Sequence, residues 1–280
     1  MKDQIFRVLG GNEEFIVSSC VSGTLVEQAR LLHGDSPTSI RSLGELLTAS
    51  ALMGDLMKGE RAVLTLEIEG DGDLKKVIAT ADSRGNVKGF SANPAALGGI
   101  GKGDLLILKD EGMRTPYNSV TPLSEGGIAE TLNAYYNQSV QLPTFFCLGV
   151  KVSSEGKVPY SFGYMVQALP FAKQEIANAI MANLQSMPPA TEILEKEMAP
   201  QQILSLLLEG IDGKATSQKD IFFRCSCSHE KGLAILQGLS GKEKDQILAA
   251  GKPIEITCGF CGKKYVYPFD ELKKVFEKRP

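Results

Sequence analysis

The chain has no tryptophan, only two histidines, His33 and His229, and almost no net charge. Each shortage excludes something. With 30 Lys plus Arg against 33 Asp plus Glu, a net charge of −3 is a poor fit for a protein that grips nucleic acid through its phosphates. Two histidines leave little room for triad chemistry. No apolar run approaches the roughly 18 residues of a membrane helix. The opening MKDQIFRVLGGNEEF is polar where a signal peptide would carry its apolar core, so a cytoplasmic protein is expected. Internal repeats and low-complexity tracts are absent from the sequence.

Apolar residues make up 43% of the 280 positions and charged residues 22%, the composition of a globular chain. Charge is uneven: residues 1–178 carry a net −4, 179–224 a net −2 and 225–280 a net +3. Ile5–Leu9 and Phe15–Cys20 read as strands around the turn Gly10-Gly11-Asn12. Helices are expected over Thr24–His33 and Ser39–Met57, the second with Leu43, Leu46, Leu47 and Met53 on a crowded face. From Arg61 the period changes to two, with Leu64, Leu66 and Ile68 alternating with polar residues. Further strands are expected at 76–81, 87–92 and 104–109, with a closing hairpin at 144–152 and 158–168. The fold class is α+β, a largely antiparallel sheet with covering helices.

Beyond Phe171 three short helices are expected, broken by Pro188-Pro189 and Pro200. The last contains Ile203, Leu204, Leu206, Leu207 and Leu208. Helices this short do not persist alone, so they either pack as an ordinary layer or form a detachable apolar cover.

Cysteine is the informative residue. Four of the six lie in the last 56 positions, as Cys225-Ser226-Cys227 and Cys258-Gly259-Phe260-Cys261, with 30 residues between the pairs. Such thiolates can converge on one tetrahedral ion, and one Zn²⁺ is expected. A C-x-C pair can close only a strained, reducible disulfide ring, and thiolate is the reactive form of cysteine. The site can therefore sense oxidants, losing its metal and the folding energy that the metal supplies. Cys20 and Cys147 sit in apolar surroundings and read as core. His229 follows the first pair but is not needed as a ligand. Gly98–Gly103 lacks the residues that a Walker loop or dinucleotide fingerprint requires and reads as a turn.

Arg224-Cys225-Ser226-Cys227-Ser228 with Cys258-Gly259-Phe260-Cys261 and Tyr265 resembles the zinc centre of the redox-regulated heat-shock holdases, the 33 kDa chaperonins. Glu67–Gly72, Ser91–Pro94, Leu106–Gly112 and Gln167–Pro170 agree in order along nearly the whole chain. Residues 126–143 are shortened relative to that pattern, and Ser161-Phe162-Gly163-Tyr164 stands where a Gly-Gly-Phe-like strand is expected. The resemblance implies an N-terminal α+β chaperone domain (1–178), a metastable helical linker (179–224) and a C-terminal four-cysteine zinc redox switch (225–280). It implies a non-enzymatic, ATP-independent holdase that oxidative stress activates. Disulfides Cys225–Cys227 and Cys258–Cys261 would form, zinc would leave, the linker would loosen, and the oxidised chain would dimerise and bind unfolding clients. No membrane or nucleic-acid partner is expected. The rival reading is a zinc-knuckle nucleic-acid binder using the basic C-terminal segment.

Overall fold

The computed structural model describes residues 2–277, which divide into two compact units at Arg224/Cys225. The first unit opens with β1 (Gln4–Gly10) and β2 (Phe15–Val21), then α1 (Gly23–His33) and α2 (Pro37–Gly54). Five strands follow: β3 (Val63–Gly70), β4 (Lys76–Asp82), β5 (Asn86–Ser91), β6 (Gly103–Asp110) and β7 (Tyr117–Pro122). Then come α3 (Ile128–Tyr135), a π-helical turn (Tyr136–Val140), β8 (Thr144–Lys151) and β9 (Tyr160–Ala168). Three helices, α4 (Gln174–Ser186), α5 (Ala190–Lys196) and α6 (Pro200–Leu207), precede β10 (Gly213–Asp220) and β11 (Phe222–Phe223).

Two sheets result, ordered β10-β1-β2-β9-β8 and β11-β5-β4-β3-β6-β7. All neighbours pair antiparallel except β11 with β5. Helix α2 lies between the sheets and packs on strands of both. It is buried almost all round, including Leu43, Leu46, Leu47, Leu52 and Met53, as a helix between two apolar layers must be. Ser36 caps it by accepting from the Ser39 amide at 3.1 Å, and Pro37 opens its first turn. It stops at Gly54, short of the expected Met57.

The strand alternation builds two cores on the first sheet. Ile5, Cys20, Phe146, Leu148 and Met165 face α2. Phe15, Val17, Val21, Tyr160, Phe162, Tyr164 and Val166 face the other way, against Ile180, Ile193, Ile203, Leu204 and Leu207 of α4–α6. This accounts for the unexpected Ser161-Phe162-Gly163-Tyr164. Ser161 faces α2, where its hydroxyl accepts from Ser22 at 3.1 Å, and a side chain on Gly163 would strike Thr48 and Leu52. Phe162 and Tyr164 carry the bulk to the opposite face, in a ring stack with Tyr160 and Phe145 at centroid spacings of 6.1–6.4 Å.

The segment 179–224, expected as a helical linker, ends differently: residues 213–220 are a strand hydrogen-bonded along β1. Its polar, exposed sequence GKATSQKD has no apolar alternation to reveal it, because β10 is a sheet edge.

The glycine run at 98–103 is a backbone clasp. Asp73 Oδ2 accepts from the Leu97 and Gly98 amides at 2.7 and 3.1 Å, and Asp71 Oδ1 from Lys102 at 2.8 Å. A side chain on Gly72 or Gly103 would collide with the opposing backbone. These amides are committed within the fold.

The second unit contains α7 (His229–Gln237), α8 (Gly241–Ala250), the hairpin β12 (Ile254–Thr257) and β13 (Lys264–Tyr267), and α9 (Phe269–Glu277). Among the described residues, only Leu236, Tyr267 and Leu272 form its fully buried core, little for a unit this size. Among the described residues, no helix is long and apolar enough to cross a membrane.

Candidate metal centre

Cys225 and Cys227 lie in the extended segment before α7, whose N-terminus Ser228 caps by accepting from the Lys231 amide at 3.2 Å. Lys231 reaches back to donate to the Ser226 carbonyl at 2.6 Å and its hydroxyl at 3.0 Å, fixing the C-x-C backbone. Cys258 and Cys261 sit on the turn between β12 and β13. There the Gly262 amide donates to the Cys258 carbonyl at 2.8 Å and the Cys258 amide to the Lys263 carbonyl at 2.9 Å. Gly262, at φ +68°, supplies the left-handed residue that this turn requires.

The four sulfurs gather within 4.8 Å of one another. Cys225–Cys258 and Cys227–Cys261 are separated by 3.6 and 3.4 Å. Four sulfurs at about 2.3 Å from one tetrahedral ion stand roughly 3.8 Å apart, so the set fits such an ion with small adjustments. Four soft donors without carboxylate or imidazole suit a thiophilic metal. The Tyr265 hydroxyl donates to Cys227 Sγ at 3.2 Å. Burial opposes ionisation of Cys227, but this bond and those with the neighbouring sulfurs outweigh it and lower its pKa to about 7.

The remaining candidates fall elsewhere. His229 turns away from the sulfurs, its Nε2 2.9 Å from Glu271 Oε1 and its ring 4.5 Å from that of Tyr267. Close approach of α7 to Tyr267 depends on Gly232, where a side chain would overlap the phenol. Cys20 is fully buried in the α2 core and Cys147 is half-buried beside Tyr164. Burial raises the pKa of both, that of Cys147 to about 11. Of the α6 residues, Ile203, Leu204 and Leu207 are buried against the first sheet, and Leu206 is half-buried; so is Leu208, just past the helix end. Tyr265 stands in the motif that carries the resemblance, though its bond to Cys227 was not legible there; Lys231 as a partner of the cysteine segment was not legible at all, since it stands in no ligand pattern.

The Hsp33 protein family model matches residues 3–268. The 33 kDa chaperonin of Agathobacter rectalis is 35% identical over 98% of this chain and 100% of its own length. That of Clostridioides difficile is 33% identical over 99% and 100%. The crystal structure of the Thermotoga maritima 33 kDa chaperonin superposes with a TM-score of 0.86 at 30% identity, covering 99% of this chain and 98% of that one. A whole-length match in sequence and fold, ending on a gathered set of four cysteines, places this chain in the Hsp33 family of chaperones.

Proposed function

We propose that this chain is an ATP-independent holdase switched on by oxidation of Cys225, Cys227, Cys258 and Cys261. Residues 1–178 act as the chaperone domain, 179–224 as the metastable linker and 225–280 as the switch. The carrying observation is the convergence of four sulfurs in a unit whose fully buried core is three side chains among the described residues. One bound Zn²⁺ would hold these sulfurs as thiolates and tie the two knuckles together, supplying folding free energy on the order of 10–16 kcal/mol.

The chemistry belongs to the cysteines. In each pair, one thiolate attacks peroxide and becomes a sulfenic acid as the O–O bond breaks. The second sulfur then displaces the hydroxyl, so two thiols and one peroxide yield one disulfide and two waters. We assign the bonds to Cys225–Cys227 and Cys258–Cys261. Once both form, the metal-binding set is gone and the three-residue core must hold the unit alone.

The linker helices supply what the switch uncovers. Ile203, Leu204 and Leu207 lie on an aromatic sheet face; baring about 400 Å² of it costs on the order of 10 kcal/mol, comparable with the metal's contribution. The exposed face would take up unfolding chains or a second oxidised copy. The setting is the cytoplasm, where thiols are kept reduced until stress. The test is light scattering from a thermally unfolding client. Suppression by peroxide-treated but not reduced protein is expected; equal suppression by both would count against oxidative control.

A further inference from the structure

Far from the cysteines along the chain, a cleft of 610 Å³ opens beside β6 and β7, walled on one side by α3 and the π-helical turn. Lys109, at the end of β6, points its ammonium among three phenol rings, 5.6 Å from the Tyr117 centroid, 5.7 Å from Tyr136 and 5.9 Å from Tyr135. Tyr135 and Tyr136 are buried. Among the described residues no carboxylate forms an ion pair with this lysine, and Glu111 acts on it only at longer range.

Such a placement is uncommon for a structural lysine, which ordinarily keeps its charge in water. The ring distances stand near the outer limit of about 6 Å for cation–π attraction. Burial lowers the Lys109 pKa below the usual lysine range, against smaller opposing effects of Tyr117 and Glu111. Desolvated lysines next to apolar walls are the ones that act as nucleophiles. The cleft is also shaped for a guest: Met113, Pro116 and Val140 give apolar wall. The Tyr135 hydroxyl donates to that of Tyr117 at 3.2 Å, leaving the Tyr117 proton free to point into the opening. The wall is formed by a π-helical turn, a costly irregularity that recurs at ligand sites.

We propose that this cleft is a carbonyl-binding site in which Lys109 forms an imine with small apolar aldehydes. The Nζ lone pair attacks the carbonyl carbon, and one N–H proton passes to the oxygen to give a carbinolamine. That hydroxyl then leaves as water with the second N–H proton while the C=N bond forms. Neither oxidant nor reductant is consumed. Tyr117 relays that proton to the departing hydroxyl.

The test uses the full-length reduced protein, benzaldehyde or hexanal at pH 7, and cyanoborohydride to trap the imine, with peptide mapping by mass spectrometry. Lys109 should be labelled faster than the exposed Lys58 and Lys102, since a lowered pKa raises the fraction of free amine and the cleft holds the aldehyde beside it. Its rate should saturate with aldehyde concentration. Tyr117→Phe should slow labelling without moving the half-saturation point, and Lys109→Arg should abolish the fast site while leaving Lys58 and Lys102 unchanged. Labelling of Lys109 no faster than of those two lysines overturns the proposal. So does a fast rate that rises linearly without saturating, because a reactive amine without a binding cleft behaves that way.

Discussion

Lys219 on β10 places its Nζ 2.5 Å from Oδ1 of Asp55, the residue that caps the C-terminus of α2. The Asp55 side chain is 1% exposed, and Arg7 of β1 stands 3.2 Å from its other oxygen. One buried carboxylate thus pins to the α2 layer the edge strand that lies, in sequence, between the cover helices and Cys225. Asp55→Asn should cost about 1–3 kcal/mol, below the figure for breaking a fully buried pair, because Arg7 and Lys219 reach solvent. Hydrogen exchange should quicken at β10 amides before those of β2, and the oxidant needed for activation should fall. Uniform exchange across both strands would refute the pin.

For the metal, one Zn²⁺ per chain is expected by elemental analysis. Serine at Cys225, Cys227, Cys258 or Cys261 should remove it and melt residues 225–280, while His229→Ala retains it. Loss of zinc from His229→Ala alone would overturn the all-cysteine set.

Before oxidation the cross pairs Cys225–Cys258 and Cys227–Cys261 stand 3.6 and 3.4 Å apart, whereas the proposed bonds lie within each motif. Peptide mapping after peroxide should find the within-motif bonds, with Cys20 and Cys147 still reduced. Cross-motif bonds as the main product would reject the pairing. A predominant Cys20–Cys147 bond would reject the switch.

On α6, Leu207→Asp puts a charge against the aromatic face and should undock the cover without oxidant, giving activity in the reduced protein. Leu206→Asp, at a half-buried position, should have a weaker effect. Undocking seen by hydrogen exchange with no activity would show that clients bind elsewhere.

Glu45 on α2 has its pKa raised from 4.5 to about 7, by burial first and then by the charge of Glu130. The folded protein therefore holds a proton there that the unfolded chain has released, and stability falls as pH rises from about 4.5 through 7. Glu45→Gln should flatten that slope in denaturant titrations and stabilise the protein at pH 8. An unchanged slope would remove Glu45 from the account.

The sequence revealed what periodicity and spacing encode. The hairpin of β1 and β2, the buried α2, the alternating β3 and the cysteine pairs each carry a local pattern. Strand β7, with exposed Tyr117 and Val120, and β10 lie at sheet edges and are exposed on both faces over most of their length, which leaves no alternation to read. Helix α3 buries Ile128, Leu132 and Tyr135 on one face, but two turns of helix give too brief a period to stand out. For α6, the leucine run makes every position look equivalent; only packing separates buried Leu207 from half-buried Leu206. The α+β class and the family were legible. The pin at Asp55 was not, because it joins residues 48 and 164 positions apart.

Strand β9 is a party wall. Its small residues, Ser161 and Gly163, belong to the room that holds α2, and its rings, Tyr160, Phe162 and Tyr164, to the room roofed by α4–α6. The two rooms share backbone but no side chains. Under the proposed switch a roof could therefore come off one without draughts in the other: the first sheet would keep its seat on α2 while a continuous strip of aromatic surface would turn adhesive. A protein built this way can become sticky and remain folded.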